Sequence, residues 1–258
     1  MLASVDGVIG PAEEARVPAT DEGLTRGDGA FEVLRLYGGR PFALADHLAR
    51  LGRTCAGLRL DADRSALPAE IAALLEASGP VEALLRVVLT RGGRRILTVE
   101  PLPHRIAVAR VATVTYAPNR VLDGLKTLSY AGNMLAARLA RERGFDDALL
   151  VTPHGRVLEG PTWSFFWVAG GELLTPPLED RILASITRAH VLEDSGAREA
   201  VCTLDDVARA EEAFIASSVR ETMPIAAVDE IELPLAPGPV TQAAGERLRQ
   251  RIERELAG

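Results

Sequence analysis

The chain has 258 residues, 47% of them hydrophobic and 25% charged, with a formal net charge of −7. That balance describes a soluble protein with ample core, in one large domain or two smaller ones. The arginines are scattered among acids, so no basic stripe invites nucleic acid, and no signal-like leader or apolar run of about 20 residues points to a membrane; a cytoplasmic location is expected.

In chain order, a polar lead is followed by a hairpin, Val33–Leu36 and Pro41–Leu44, joined by the turn residues Tyr37-Gly38-Gly39-Arg40. Leu44, Leu48, Leu51, Cys55 and Leu58 recur at spacings of four and three, which predicts one face of a helix. A second helix follows Ser65, with Pro68 near its start and Ile71, Leu74 and Leu75 inward. Ala83–Thr90 and Ile106–Tyr116 read as strands, with a loop carrying Arg91, Arg94 and Arg95 after the first. The first half is therefore α+β rather than a regular βαβ series.

Tyr116-Ala117-Pro118-Asn119 reads as an interdomain linker, because proline ends the preceding strand. The expected division is an α+β domain over 1–115, a linker at 116–120 and a second domain over 121–258. In the second, a helix over Gly132–Gly144 precedes short strands at Ala148–Val151, Val157-Leu158, Phe165–Val168 and Glu172–Thr175, which suggest a barrel-like sheet. Helices are predicted at Ile186–Asp194 and Thr241–Leu256.

Cys55 and Cys202 belong to no CxxC pair and the four histidines show no zinc spacing, so no metal site is expected. Lysine usage is unusual: of 29 basic residues only Lys126 is a lysine. Arginine serves wherever positive charge alone is needed, whereas an amine can be desolvated and made nucleophilic. This points to imine chemistry, although chance could also leave one surface lysine.

A pyridoxal phosphate site needs such an amine, an acid for the pyridine nitrogen and a cradle for the phosphate. Glu159, in an otherwise uncharged segment, could supply the acid, and equally reads as an exposed or capping glutamate. Ile186-Thr187 opens a helix and could bind phosphate, or Thr187 could serve in ordinary capping. Ala216-Ser217-Ser218 is a second small-hydroxyl turn.

Four ordered blocks, RGDGAFEVLRLYGGRPFALADHLARL (26–51), KTLSYAGNMLAARLARERGFDDALLVTPHGRVLEGPTWSFFWV (126–168), GGELLTPPLEDRILASITR (170–188) and EEAFIASSVRETMPI (211–225), resemble the class IV, or fold-type IV, pyridoxal phosphate enzymes. These include D-amino acid and branched-chain aminotransferases and aminodeoxychorismate lyases. The resemblance implies an α/β (α+β) fold with a small N-terminal domain and a larger C-terminal pseudo-barrel domain, the cofactor between them, and a homodimer. It implies that Lys126 holds the cofactor as a Schiff base and moves the substrate proton, and that Glu159 binds the pyridine nitrogen. It also implies that Arg50, Ile186, Thr187, Ser217 and Ser218 hold the phosphate and that Leu183 packs on the ring. Ser185 and Ser164 depart from the family's usual glycine and asparagine.

Substrate choice is less legible. Phe31 stands where the best-known D-amino acid enzymes carry tyrosine, and neither their carboxylate trap nor the branched-chain template is complete. Arg26, Arg86 and Arg91, with Arg94 and Arg95, are available to clamp a carboxylate, or equally to lie solvated on the surface. The expected reaction is amino transfer between an amino acid, D-configured in the first instance, and a 2-oxo acid, with Arg26 offered across a dimer interface. Aminodeoxychorismate lyase is the alternative, then a branched-chain L-amino acid aminotransferase; a noncatalytic cofactor carrier is the reading from another class.

Overall fold

The computed structural model describes residues 1–257. The chain divides into two compact units. The first comprises Met1–His104, Leu125–Tyr130 and the residues from Glu255 onward; the second comprises Arg105–Gly124 and Ala131–Arg254. The residues read as a linker, 116–120, thus fall within the second unit, and the segment around Lys126 belongs to the first.

The first unit carries β1 (Leu2–Val5), β2 (Val8–Pro11), α1 (Glu22–Arg26), β3 (Gly29–Tyr37), β4 (Arg40–Pro41), α2 (Leu44–Gly57), α3 (Leu67–Ser78), β5 (Ala83–Thr90) and β6 (Arg95–Pro101). Its strands form one antiparallel sheet in the order β2-β1-β6-β5-β3-β4. Because side chains alternate across a strand, Ala30, Leu34 and Leu36 of β3 share a face with Leu85, Val87 and Leu89 of β5. That face packs with Leu51 and Cys55 of α2 and Ile71 and Leu74 of α3. Glu32 occupies the same face and is fully buried.

Several expectations shift here. The polar lead contains the hairpin β1–β2, whose turn is Asp6-Gly7, both at positive φ; Asp-Gly suits such a two-residue turn. The expected strand Pro41–Leu44 stops at Pro41, since Leu44 opens α2. The arginine loop is shorter than expected, because Arg95 begins β6, which the β5 and β1 ladders recruit.

The second unit carries β7 (Ala109–Thr115), α4 (Ala131–Glu142), β8 (Asp147–Val151), β9 (Arg156–Val157), β10 (Ser164–Ala169), β11 (Glu172–Thr175), α5 (Ile186–Ser195), β12 (Arg198–Glu199), β13 (Cys202–Thr203), α6 (Leu204–Ala208), β14 (Glu212–Ser217), β15 (Glu221–Val228), β16 (Ile231–Glu232) and α7 (Pro239–Ala257). α7 ends among residues of the first unit. The sheet is mixed, with order β12-β11-β10-β14-β15-β7-β8-β9-β13 and β16 against β15; β7 runs parallel to both β8 and β15. One face gathers Val111, Leu149, Trp163, Phe165, Trp167 and Ile215. The other packs Phe166, Val168 and Phe214 with Val191 of α5 and Ala244 of α7, and Ala112, Ala148 and Leu150 with Ala136 and Ala140 of α4. Coverage on both faces explains the unbroken apolar run Phe165-Phe166-Trp167-Val168. Among the described residues, no helix is long and apolar enough to cross a membrane.

Candidate functional site

The backbone of Lys126 is held by the first unit's sheet and helix. Phe31 N–H donates to the Lys126 carbonyl (3.1 Å) and Leu128 N–H to that of Gly29 (2.9 Å), while Ala30 and Thr127 pair as an antiparallel bridge. Lys126 N–H donates to Thr54 Oγ1 of α2 (3.3 Å). The Lys126 segment therefore acts as a short extra strand beside the start of β3. Its ammonium lies 4.4 Å from the centroid of Phe31 and 5.5 Å from that of Tyr130, whose rings meet edge to face. Such rings shield an amine from water while their faces attract its charge.

His47, Arg50 and Thr54 recur at helical spacing on one flank of α2. Arg50 grips Glu32 with two hydrogen bonds, Nε to Oε1 at 2.7 Å and Nη2 to Oε2 at 2.6 Å, and His47 Nδ1 stands 2.8 Å from Oε2. All three side chains are buried. Burial would raise the Glu32 carboxyl, but hydrogen bonds from Arg50 and His47 outweigh it and hold it near about 2. Burial pushes His47 below the ordinary imidazole value, helped by Arg50 and Lys126 and opposed by Glu32, so neutral His47 donates from Nδ1 to an ionised carboxylate.

In the second unit, Glu159 Oε1 accepts a hydrogen bond from Leu183 N–H (2.9 Å), which brings the expected ring acid and ring-packing residue together. Burial, and then the Glu159 charge, raises the Tyr116 phenol above its ordinary value. Thr187 Oγ1 and Ser218 Oγ stand 3.4 Å apart. Ser185 caps α5 by accepting from Arg188 N–H, leaving the first amides of the helix, at Ile186 and Thr187, without intrahelical acceptors. Ser217 is buried and accepts from Arg220 N–H (3.1 Å). Two adjacent hydroxyls at a helix start form a donor set suited to a phosphate dianion, and a fixed carboxylate suits a protonated ring nitrogen. The residues present fit pyridoxal phosphate.

The arginines considered for substrate separate clearly. Arg86 lies opposite Val33 and its guanidinium is 5.9 Å from the Phe31 centroid, so it borders the same ring as Lys126. Glu100 holds it at Nε (2.7 Å) and Nη2 (2.9 Å). Arg91 is spent on Asp28 and on the carbonyls of Leu58 and Arg59. Arg94 pairs with Asp6 and Arg95 with Glu70. Arg26 is exposed, 4.0 Å from Glu22.

The sequence reading missed Glu32 and Tyr130. Glu32 was detectable as the one charge at an inward position of a strand whose companions, Ala30, Leu34 and Leu36, are apolar. Tyr130 had no such signal, because its partner Phe31 is distant in sequence.

A family model described as amino-transferase class IV matches residues 29–228. A bifunctional aminodeoxychorismate lyase / D-amino acid transaminase of Mycobacterium tuberculosis is 31% identical over 78% of this chain and 80% of its own. A fold IV transaminase from Curtobacterium pusillum is 32% identical, with a TM-score of 0.85 over 96% of this chain and 92% of that one. The branched-chain aminotransferase of Thermoproteus uzoniensis, solved with norvaline, is 29% identical, with a TM-score of 0.89 over 99% and 96%. The strand and helix arrangement described above is thus shared with fold IV transaminases, and this chain belongs to the class IV aminotransferases.

Proposed function

We propose that this enzyme transfers an amino group between a D-amino acid and a 2-oxo acid, using pyridoxal phosphate. The bound cofactor supplies an electron sink that makes the substrate Cα–H acidic. Lys126 binds it covalently and carries the proton to and from Cα. Glu159 keeps the ring nitrogen charged and Leu183 packs on the ring, while Arg50, Ile186, Thr187, Ser217 and Ser218 hold the phosphate. The carrying observation is that the sole lysine and the Arg86 guanidinium border one buried ring, Phe31, which supports an amine and a carboxylate anchor for one small amino acid. Arg26 completes the clamp across a homodimer, and the protein works in the cytoplasm.

The test is an absorbance titration of the cofactor-loaded protein against paired D- and L-amino acids. D-alanine or D-glutamate is expected to convert the cofactor to its aminated form. A response confined to L-amino acids overturns the stereochemical reading, and no response to any amino acid overturns the transferase reading. The mycobacterial relative's name pairs D-amino acid transamination with lyase activity, which supports a second reading, elimination from aminodeoxychorismate; release of 4-aminobenzoate would establish it.

A further inference from the structure

Asp147 opens β8 as a buried carboxylate among apolar neighbours. One oxygen, Oδ1, accepts from the adjacent Ala148 N–H (2.9 Å). The other faces two groups from different loops. Trp163 Nε1–H donates to Oδ2 at 3.0 Å, and Nη1 of Arg220 lies 2.8 Å from the same atom, an ion pair whose N–H is not aligned along the contact.

Each partner governs one loop. The Trp163 indole lies where a Cβ on Gly160 would stand, so only glycine permits this contact, and Gly160 N–H donates to the Trp163 carbonyl (2.8 Å). The indole therefore presses on the turn immediately after Glu159, while Leu150 N–H holds the Glu159 carbonyl (2.9 Å) from the other side. In the second loop, Arg220 N–H closes the turn onto Ser217 Oγ, beside Ser218.

We propose that Asp147 is a positioning residue: one buried carboxylate couples the Glu159 turn, through Trp163, to the Ser217-Ser218 turn, through Arg220. Rigid placement of ligand-binding groups depends on such outer partners. The coupling fixes the separation between a carboxylate and a pair of hydroxyls, the dimension that a ring nitrogen and a phosphate on one molecule must match. It rests on the reading that Glu159 and Ser218 bind pyridoxal phosphate.

The experiment compares the affinity of the cofactor-free protein for pyridoxal phosphate and for pyridoxal, which lacks the phosphate, with thermal melting alongside. Asp147→Asn keeps an acceptor for Trp163 and removes the charge facing Arg220; it should weaken pyridoxal phosphate about tenfold and leave pyridoxal nearly unchanged. Arg220→Gln should do the same. Trp163→Phe, which frees the other turn, should weaken both ligands by similar factors. A purely structural Asp147 would lower the melting temperature while preserving the ratio of the two affinities, and that result overturns the proposal. Should Asp147→Asn fail to fold, Arg220→Gln decides by the same ratio. Unchanged protein that takes up no pyridoxal phosphate defeats the cofactor reading itself, whereas normal uptake with an unaltered ratio in the variants defeats only the coupling.

Discussion

Nδ1 of His47 lies 2.8 Å from Oε2 of Glu32, with both side chains sealed from solvent. Against the pull of burial, hydrogen bonds from Arg50 and His47 hold the folded Glu32 carboxyl down at about 2, from an ordinary 4.5. A depressed carboxyl contributes stability that is complete above about 4.5 and is lost as pH falls toward 2, on the order of 3 kcal/mol in all. His47 is lowered from 6.5, so the unfolded chain takes up that proton first and stability also declines below about 6.5. Denaturant unfolding at a series of pH values should show both losses. In His47→Gln, which can still donate to Glu32, the upper decline should vanish while the lower persists.

Lys126→Arg retains the charge and discards the nucleophile. Turnover should fall about a thousandfold or more, and the protein should no longer retain the cofactor's visible absorbance after gel filtration. Retention of turnover would remove Lys126 from the chemistry.

Thr187→Val and Ser218→Ala each remove one hydroxyl of a pair 3.4 Å apart. Each should weaken pyridoxal phosphate by about 1.5 kcal/mol, roughly tenfold, the scale of one hydrogen bond to a charged group. Competition by inorganic phosphate should weaken in parallel; equal loss of pyridoxal binding would contradict a phosphate role.

Arg86 and Arg91 make opposite predictions. Arg86→Gln should raise the KM for the amino acid roughly tenfold to a hundredfold, reflecting a lost carboxylate contact. Arg91→Gln should leave KM alone and lower the melting temperature by a few degrees, because its hydrogen bonds go to Asp28, Leu58 and Arg59. Steady-state kinetics and a melt of each variant separate the two.

Much of the fold could be read ahead of the structure because its signals are local. The period of Leu44, Leu51 and Cys55 located α2, and the apolar run before Gly170 located β10. The β1–β2 hairpin was lost because its strands are only four residues long and run straight into the charged segment that follows, although Asp6-Gly7 marks its turn. β6 was obscured because Thr98 and Glu100 face the less buried side of the sheet and interrupt its apolar residues, while Arg95 opens the strand on the helix-covered face, paired with Glu70. For the site, Lys126, Glu159 and Thr187 lie in compact motifs, whereas the neighbours that tune them lie far along the chain. Glu32 meets Arg50 across 18 positions and Asp147 meets Trp163 across 16, distances at which spacing patterns carry no information about contact.

The bridge between Ala30 and Thr127 has a consequence for dividing the protein. The chain leaves the first unit at His104, returns to it for Leu125–Tyr130, and rejoins it again only from Glu255. No single cut yields one fragment that carries both Lys126 and the whole second unit while keeping the first intact. A polypeptide ending at His104 lacks the lysine, and one beginning at Arg105 carries it without the Phe31 amide and Thr54 hydroxyl that hold its backbone. Two such pieces would have to recombine before that amine stood in place, so its correct placement is a property of the finished chain and belongs to neither half.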